Sequence, residues 1–156
     1  VFTDLKDRYP RTAYAQQGGL VAAKVQVAKG QGDAAKASLA WVADNAVEDE
    51  VRSIARLRLA AVQADAKQFD EALKTLDAVK GEGFEALVAD RRGDVLMAAG
   101  KATEAKAAWL QAYRSLSDKV DYRRLVEAKL TAAGAAPDVA PVQAAAASAA
   151  APGASK

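Results

Sequence analysis

Residues 67–76 read KQFDEALKTL, a turn followed by the first turns of a helix. Ala72 is small, and Leu76 follows it by one helical turn on the same face. A small side chain lets a second helix pass closely, while the leucine fills the space beside it. We therefore expect residues 67–76 to begin the second helix of a packed helix pair.

The same arrangement occurs twice more, in residues 32–41 and in residues 100–109. Aligning Ala37, Ala72 and Ala105 gives spacings of 35 and 33 residues (72 − 37 and 105 − 72), and the large residues four positions on are Trp41, Leu76 and Trp109. Twelve residues before each alanine, where the paired helices should touch, the chain has Val25, Ala60 and Gly93. Val25 makes the first unit the weakest match.

A period of about 34 residues with small residues at both helix contacts is typical of tetratricopeptide repeats. The predicted fold is all-α: a short tetratricopeptide-like solenoid of about three antiparallel helix pairs within residues 12–116. A last helix, residues 118–133, would cap its open end. The Gly18-Gly19 pair inside the first long helix indicates close packing against the preceding helix, or a kink.

The composition divides the chain into two parts. Residues 1–134 form the predicted tetratricopeptide-like domain. Residues 135–156, AAPDVAPVQAAAASAAAPGASK, are rich in alanine and proline and have no large side chain that could join a core. We expect this segment to be a disordered tail.

The residues that the chain lacks exclude several kinds of chemistry. It contains no Cys and no His, which excludes disulfides, His-containing catalytic triads and zinc sites built from His or Cys. Its 22 basic and 20 acidic residues nearly balance, which argues against nucleic-acid binding. We therefore expect no enzyme activity, no catalytic residue, no cofactor and no metal site.

The predicted binding surface is the concave groove, which the first helix of each tetratricopeptide unit lines. This pattern selects Ile54, Leu57 and Ala61 from the second unit, and Leu87, Asp90, Asp94 and Met97 from the third. Such a partly apolar and partly acidic strip suits an extended or helical segment of another protein.

Two clusters of charged residues each allow two interpretations of their function. Asp90 and Asp94 are four residues apart on one helix face, so they could bind a cation or act in acid–base chemistry, although a solvated or partner-facing acidic strip fits better. Arg52, Arg56 and Arg58 form either a solvated face or a docking patch for an acidic partner.

Residues 54–97 contain RLRLA (56–60), ALKTLD (72–77), KGEGF (80–84), VAD (88–90) and RGD (92–94). In these motifs the chain resembles the YfgM family, inner-membrane proteins of bacteria that are ancillary to the SecYEG translocon. The resemblance implies a tetratricopeptide-like domain on the periplasmic side of the inner membrane. It also implies contact with the membrane only through an N-terminal helix, which we do not find in this sequence.

The partners that the resemblance implies are the SecYEG translocon and a membrane-anchored chaperone of the PpiD type. The resulting hypothesis is a protein–protein interaction module. The alternative is a self-associating scaffold in envelope assembly, because the open ends of a short solenoid expose unstacked faces. The sequence leaves the oligomeric state open.

Overall fold

The computed structural model describes residues 2–117 and 120–135, and these residues form eight α-helices and no strand. The helices are α1 (Phe2–Arg8), α2 (Ala13–Ala28), α3 (Gly32–Asn45), α4 (Asp49–Asp65), α5 (Phe69–Asp77), α6 (Glu85–Ala98), α7 (Ala102–Ser115) and α8 (Asp121–Ala132). The pairs α2–α3, α4–α5 and α6–α7 follow one another, and α8 packs on the last pair. The predicted all-α solenoid with a terminal helix is confirmed.

Two sequence expectations fall partly outside the described residues. The terminal helix was expected from Asp118, which is not among them, and α8 begins at Asp121. The expected tail, residues 135–156, also lies outside them except for Ala135, which packs against the core beneath α8. The disordered tail therefore stays a prediction.

The first helix of each pair ends in the same turn. Gly30, Lys67 and Gly100 have φ angles of 71°, 61° and 79°, and Gly134 after α8 has 71°. In each turn the next residue donates its N–H to the carbonyl five residues back, as Gln68 does to Gln63 at 2.9 Å. These hydrogen bonds define Schellman turns, in which glycine is favoured because it has no Cβ. Lys67 is the single non-glycine at positive φ among the described residues.

These turns correct the alignment of the first unit. Ala72 and Ala105 lie four residues after the turn residues Gln68 and Lys101, to whose carbonyls they donate. The corresponding residue of the first unit is Ala35, which is fully buried, whereas Ala37 is exposed. The prediction for Ala37 is therefore wrong by two residues.

The corrected alignment removes the weak match at Val25. Twelve residues before Ala35 lies Ala23, which is small and 2% exposed, while Val25 is 45% exposed. Leu39, rather than Trp41, then corresponds to Leu76 and Trp109. The first repeat is longer than the second mainly because α4 has 17 residues and α6 has 14.

Small residues allow the helices to touch as predicted at several places. Ala60, Ala72 and Ala105 are fully buried. A Cβ placed on Gly93 would lie 2.3 Å from Trp109 Cδ1, and one on Gly19 would lie 2.4 Å from Val42 Cγ2. Because α2 continues through Gly18 and Gly19, close packing is the correct interpretation of that pair.

The buried side chains form three successive groups along the solenoid. The first joins α2, α3 and α4 around Leu39 and Val42, and the second joins α4, α5 and α6 around Leu76 and Val95. The third joins α6, α7 and α8 around Trp109. Each group connects only helices that are neighbours along the solenoid. The stability of each unit is therefore expected to depend on its contacts with the adjacent units.

Candidate interaction groove

An open groove of about 410 Å³ lies between α2 and α4, the first helices of two neighbouring pairs. Its lining consists of Ala23, Lys24, Val27, Leu39, Leu57, Arg58, Ala61, Val62, Asp65 and Arg91. A smaller hollow of about 120 Å³ adjoins it and shares Ala61, Asp65 and Arg91 while adding Asp94. The groove therefore extends from α2 across α4 to α6.

The structure brings some of the predicted groove residues together and separates others. Leu57 and Ala61 line the groove, and Asp94 borders the smaller hollow. Ile54 and Met97 are partly buried and pack against the first and third core groups. Leu87 is partly buried and lines neither of these cavities.

Asp90 is not available to a partner, so its prediction as a groove residue is wrong. Its side chain is 2% exposed, and Lys129 Nζ from α8 donates to its two carboxylate oxygens at 2.8 and 2.9 Å. The hydroxyl of Tyr122, also from α8, donates to Asp90 Oδ2. Helix α8 therefore covers the acidic end of the predicted strip.

The same lysine also forms an ion pair with Asp94. Lys129 Nζ lies 2.7 and 2.9 Å from its carboxylate oxygens, and Trp109 Nε1 donates to Asp94 Oδ1 at 3.1 Å. Arg91 adds a longer ion pair with Asp94 at 3.6 Å. Since the ammonium group of Lys129 sits between the two carboxylates, it takes the place that a bound cation would need. Among the described residues, no group of three or more His, Cys, Asp or Glu could hold a metal ion.

Burial and the contact with Asp90 change the pKa of the Tyr122 phenol. Burial, followed by the hydrogen bond to Asp90 and its negative charge, raises the pKa of the Tyr122 phenol well above its usual value near 10. The phenol therefore remains a proton donor to Asp90 at neutral pH. This donor and Lys129 together satisfy the buried carboxylate, which would otherwise be costly to desolvate.

The three arginines of α4 have different roles. Arg52 donates to the carbonyls of Ala46 and Val47 at 2.7 and 3.0 Å, and Arg56 donates to the Ala78 carbonyl at 2.9 Å. These two arginines tie loops to α4. Arg58 is exposed at the groove, so it alone of the three presents its charge there.

Sequence reasoning missed Lys24 and Val27, which line the groove on the side of α2. The signal was present in the repeat. With Ala23 aligned to Ala60, Lys24 corresponds to Ala61, a residue that was predicted. The error at Ala37 therefore concealed the contribution of α2.

A second open pocket, of about 580 Å³, lies at the loop between α5 and α6. Two of its three charged side chains are engaged locally: Arg92 forms an ion pair with Asp77, and Glu85 Oε2 accepts a hydrogen bond from the Gly83 N–H at 2.9 Å, while Glu82 is exposed. The groove between α2 and α4 has more charge available to a partner, so it is the stronger candidate.

The helix pairs, the repeated turns and the groove between first helices define a tetratricopeptide-type solenoid. A family model described as "Tetratricopeptide repeat-like domain" matches residues 1–135, and the chain belongs to this family. No solved structure matches the chain. Among the described helices, none is both long and apolar enough to cross a lipid bilayer.

Three curated relatives are each named "Ancillary SecYEG translocon subunit". The chain is 38% identical to the Escherichia coli protein over 64% of its own length, 40% identical to the Haemophilus influenzae protein over 67%, and 31% identical to the Neisseria gonorrhoeae protein over 81%. These matches confirm the resemblance noted in residues 54–97. The alignments cover 48%, 52% and 60% of the relatives, so the chain spans about half of their length.

Proposed function

We propose that this domain is a non-enzymatic interaction module that binds a segment of the SecYEG translocon in the groove between α2 and α4. The observation that carries the proposal is the open groove, in which Leu57 and Ala61 lie beside Val27. Val27 is 47% exposed, and an apolar side chain left in water at the rim of a groove favours burial against a partner. The names of the three relatives supply the class of partner.

The cellular setting follows from the same relatives. An ancillary subunit of the translocon works at the bacterial inner membrane, and we place this domain on its periplasmic side. A membrane-anchored chaperone of the PpiD type is the second partner that we propose, since the YfgM resemblance implies it. Both assignments rest on similarity, whereas the groove itself rests on the geometry of α2 and α4.

Site-specific photocrosslinking tests this proposal. A photoreactive amino acid is placed at Leu57, and in a matched control at Arg114, which is exposed on α7 outside the groove. Each variant is incubated with inner-membrane vesicles, irradiated and probed for adducts with SecY, SecE and SecG. We expect translocon adducts from position 57 and few from position 114. Equal yields, or no translocon adduct, would place the binding surface elsewhere.

Self-association is the second candidate, and one feature favours it. Tyr14, Val21 and Val25 lie seven and four residues apart on one face of α2, with exposed fractions of 81%, 60% and 45%. This strip lies on α2 beside α1, which packs against Gly18, and it leaves apolar side chains in water that a second copy could cover. Sedimentation velocity over a range of concentrations tests self-association. A wild-type dimer that becomes a monomer in the Val21→Glu variant would support it, and a wild-type monomer at every concentration would exclude it.

A further inference from the structure

We infer that the groove between α2 and α4 selects a partner segment that is acidic as well as apolar. This inference rests on the proposed function and adds the chemistry of the bound segment. It differs from the expectation based on sequence, in which Asp90 and Asp94 made the binding strip partly acidic.

The charges that line the groove are mostly positive. With the adjoining hollow included, Lys24, Arg58 and Arg91 contribute three positive charges, and Asp65 and Asp94 contribute two negative charges, so the groove carries a net charge of +1 (3 − 2). Lys24 and Arg58 are exposed. Within the described residues neither of them forms an ion pair, so both are available to carboxylates of a partner.

The acidic side chains nearby do not offset this charge. Asp90 is buried beneath α8, and Asp94 shares Lys129 with it at 2.7 Å while also pairing with Arg91 at 3.6 Å. Asp90 is therefore closed to a basic partner segment, and Asp94, although 29% exposed, is already paired with two cations. An acidic segment meets Lys24 and Arg58 without breaking an existing contact.

The floor between these cations is apolar. Ala23 is 2% exposed and Val62 is 9% exposed, and Leu57 and Ala61 form the adjoining wall. An apolar floor with a cationic rim fits an amphipathic segment that buries its apolar side chains and directs Asp or Glu towards the rim. Apolar anchors then supply most of the affinity, and charge complementarity supplies selectivity and the rate of association.

Two synthetic peptides of equal length test this inference directly. Both carry leucine at the same helical spacing, and the remaining positions are Glu in one peptide and Lys in the other. Binding to the full chain is measured by fluorescence anisotropy at low and at physiological salt. We expect the Glu peptide to bind at least about tenfold more tightly than the Lys peptide, with a preference that narrows as salt screens the charges.

Charge reversal locates the effect. The Lys24→Glu, Arg58→Glu double variant is expected to lose the preference for the Glu peptide, whereas Arg114→Glu, a reversal on α7 outside the groove, is expected to keep it. Circular dichroism confirms that each variant is folded. A preference for the Glu peptide that survives the double reversal would overturn the inference.

The remaining outcomes separate this inference from the proposed function. Preferential binding of the Lys peptide, abolished by Leu57→Glu, would refute the acidic selectivity and leave the groove as the docking site. Binding of neither peptide, or binding that Leu57→Glu does not change, would refute the groove itself and with it the proposed function.

Discussion

Lys129→Met is the substitution that most directly probes how α8 closes the solenoid. Lys129 is the cation that joins α8 to Asp90 and Asp94 on α6, and its three N–H groups share four carboxylate oxygens at 2.7–2.9 Å from Nζ. Methionine keeps most of the aliphatic stem and removes the charge. Among the described side chains, Asp90, which is 2% exposed, would then retain only the Tyr122 hydroxyl as a donor.

The expected loss follows from the burial of the two partners. Removing one member of a buried ion pair costs about 3–5 kcal/mol, because the other charge is left uncompensated. The Lys129 side chain is 23% exposed, so water reaches part of the site and the loss should lie near the lower limit, at about 3 kcal/mol. For a domain of this size, that loss corresponds to a melting temperature lower by about 12 °C.

Thermal unfolding by circular dichroism measures the total effect, and amide hydrogen exchange shows where it falls. Exchange should accelerate most in α8, because helices of a solenoid are stabilised by their neighbours. The matched control is Arg124→Met, whose side chain is 85% exposed and which should change stability by less than about 0.5 kcal/mol. Adding Asp90→Asn to Lys129→Met should recover at least about 1 kcal/mol, since it removes the uncompensated charge.

The reasoning fails if Lys129→Met melts within about 1 °C of the wild type and α8 keeps its protection, a shift far below that expected from the buried pair. Such a result would mean that water or another group compensates Asp90. It would also remove the argument that the acidic side chains are closed to a partner.

Three further predictions concern local features of the solenoid. Gly93→Ala should cost about 1–3 kcal/mol, because its Cβ would lie 2.3 Å from Trp109 Cδ1, whereas Gly32→Ala, with nothing within 4 Å, should not destabilise; urea unfolding compares the two. Lys67→Gly should stabilise the chain by about 0.5–1 kcal/mol, because it relieves a positive φ of 61° at a turn where glycine is favoured, and an unchanged urea midpoint would contradict this. Because the pKa of Tyr122 is higher in the folded state than in the unfolded state, its phenol stabilises the fold fully below the unfolded pKa near 10, and this stabilisation is lost as pH rises towards the folded pKa. Tyr122→Phe should therefore remove the highest-pH step from a tyrosinate absorbance titration and reduce the loss of stability above pH 10.

The fold could be predicted because its determinants are local. Gly30 and Gly100 mark turns, and small residues twelve positions apart, such as Ala60 with Ala72, mark helix contacts. The first unit was misaligned because Ala37 was matched to Ala72 and Ala105, which made Trp41 correspond to Trp109. The turn shows instead that Leu39 occupies that position, and Trp41 lies beside Phe2 with ring centroids 5.5 Å apart.

The groove could be predicted only in part, because its charge depends on contacts between distant residues. The i, i+4 spacing of Asp90 and Asp94 correctly placed them on one face of α6. No local pattern indicated that Lys129, 39 residues beyond Asp90, would form ion pairs with both. On the side of α2, the groove is lined by Lys24, and this residue is identified only after Ala23 is aligned with Ala60.

The most direct test of the central claim is the affinity of the chain for purified SecYEG in lipid nanodiscs, measured for the wild type, Leu57→Glu and Arg114→Glu. Leu57 lines the groove, and Arg114 lies outside it on α7. Docking in the groove predicts that Leu57→Glu weakens binding at least about tenfold, a loss of about 1.4 kcal/mol, while Arg114→Glu binds like the wild type. Equal affinities for all three folded proteins would contradict it.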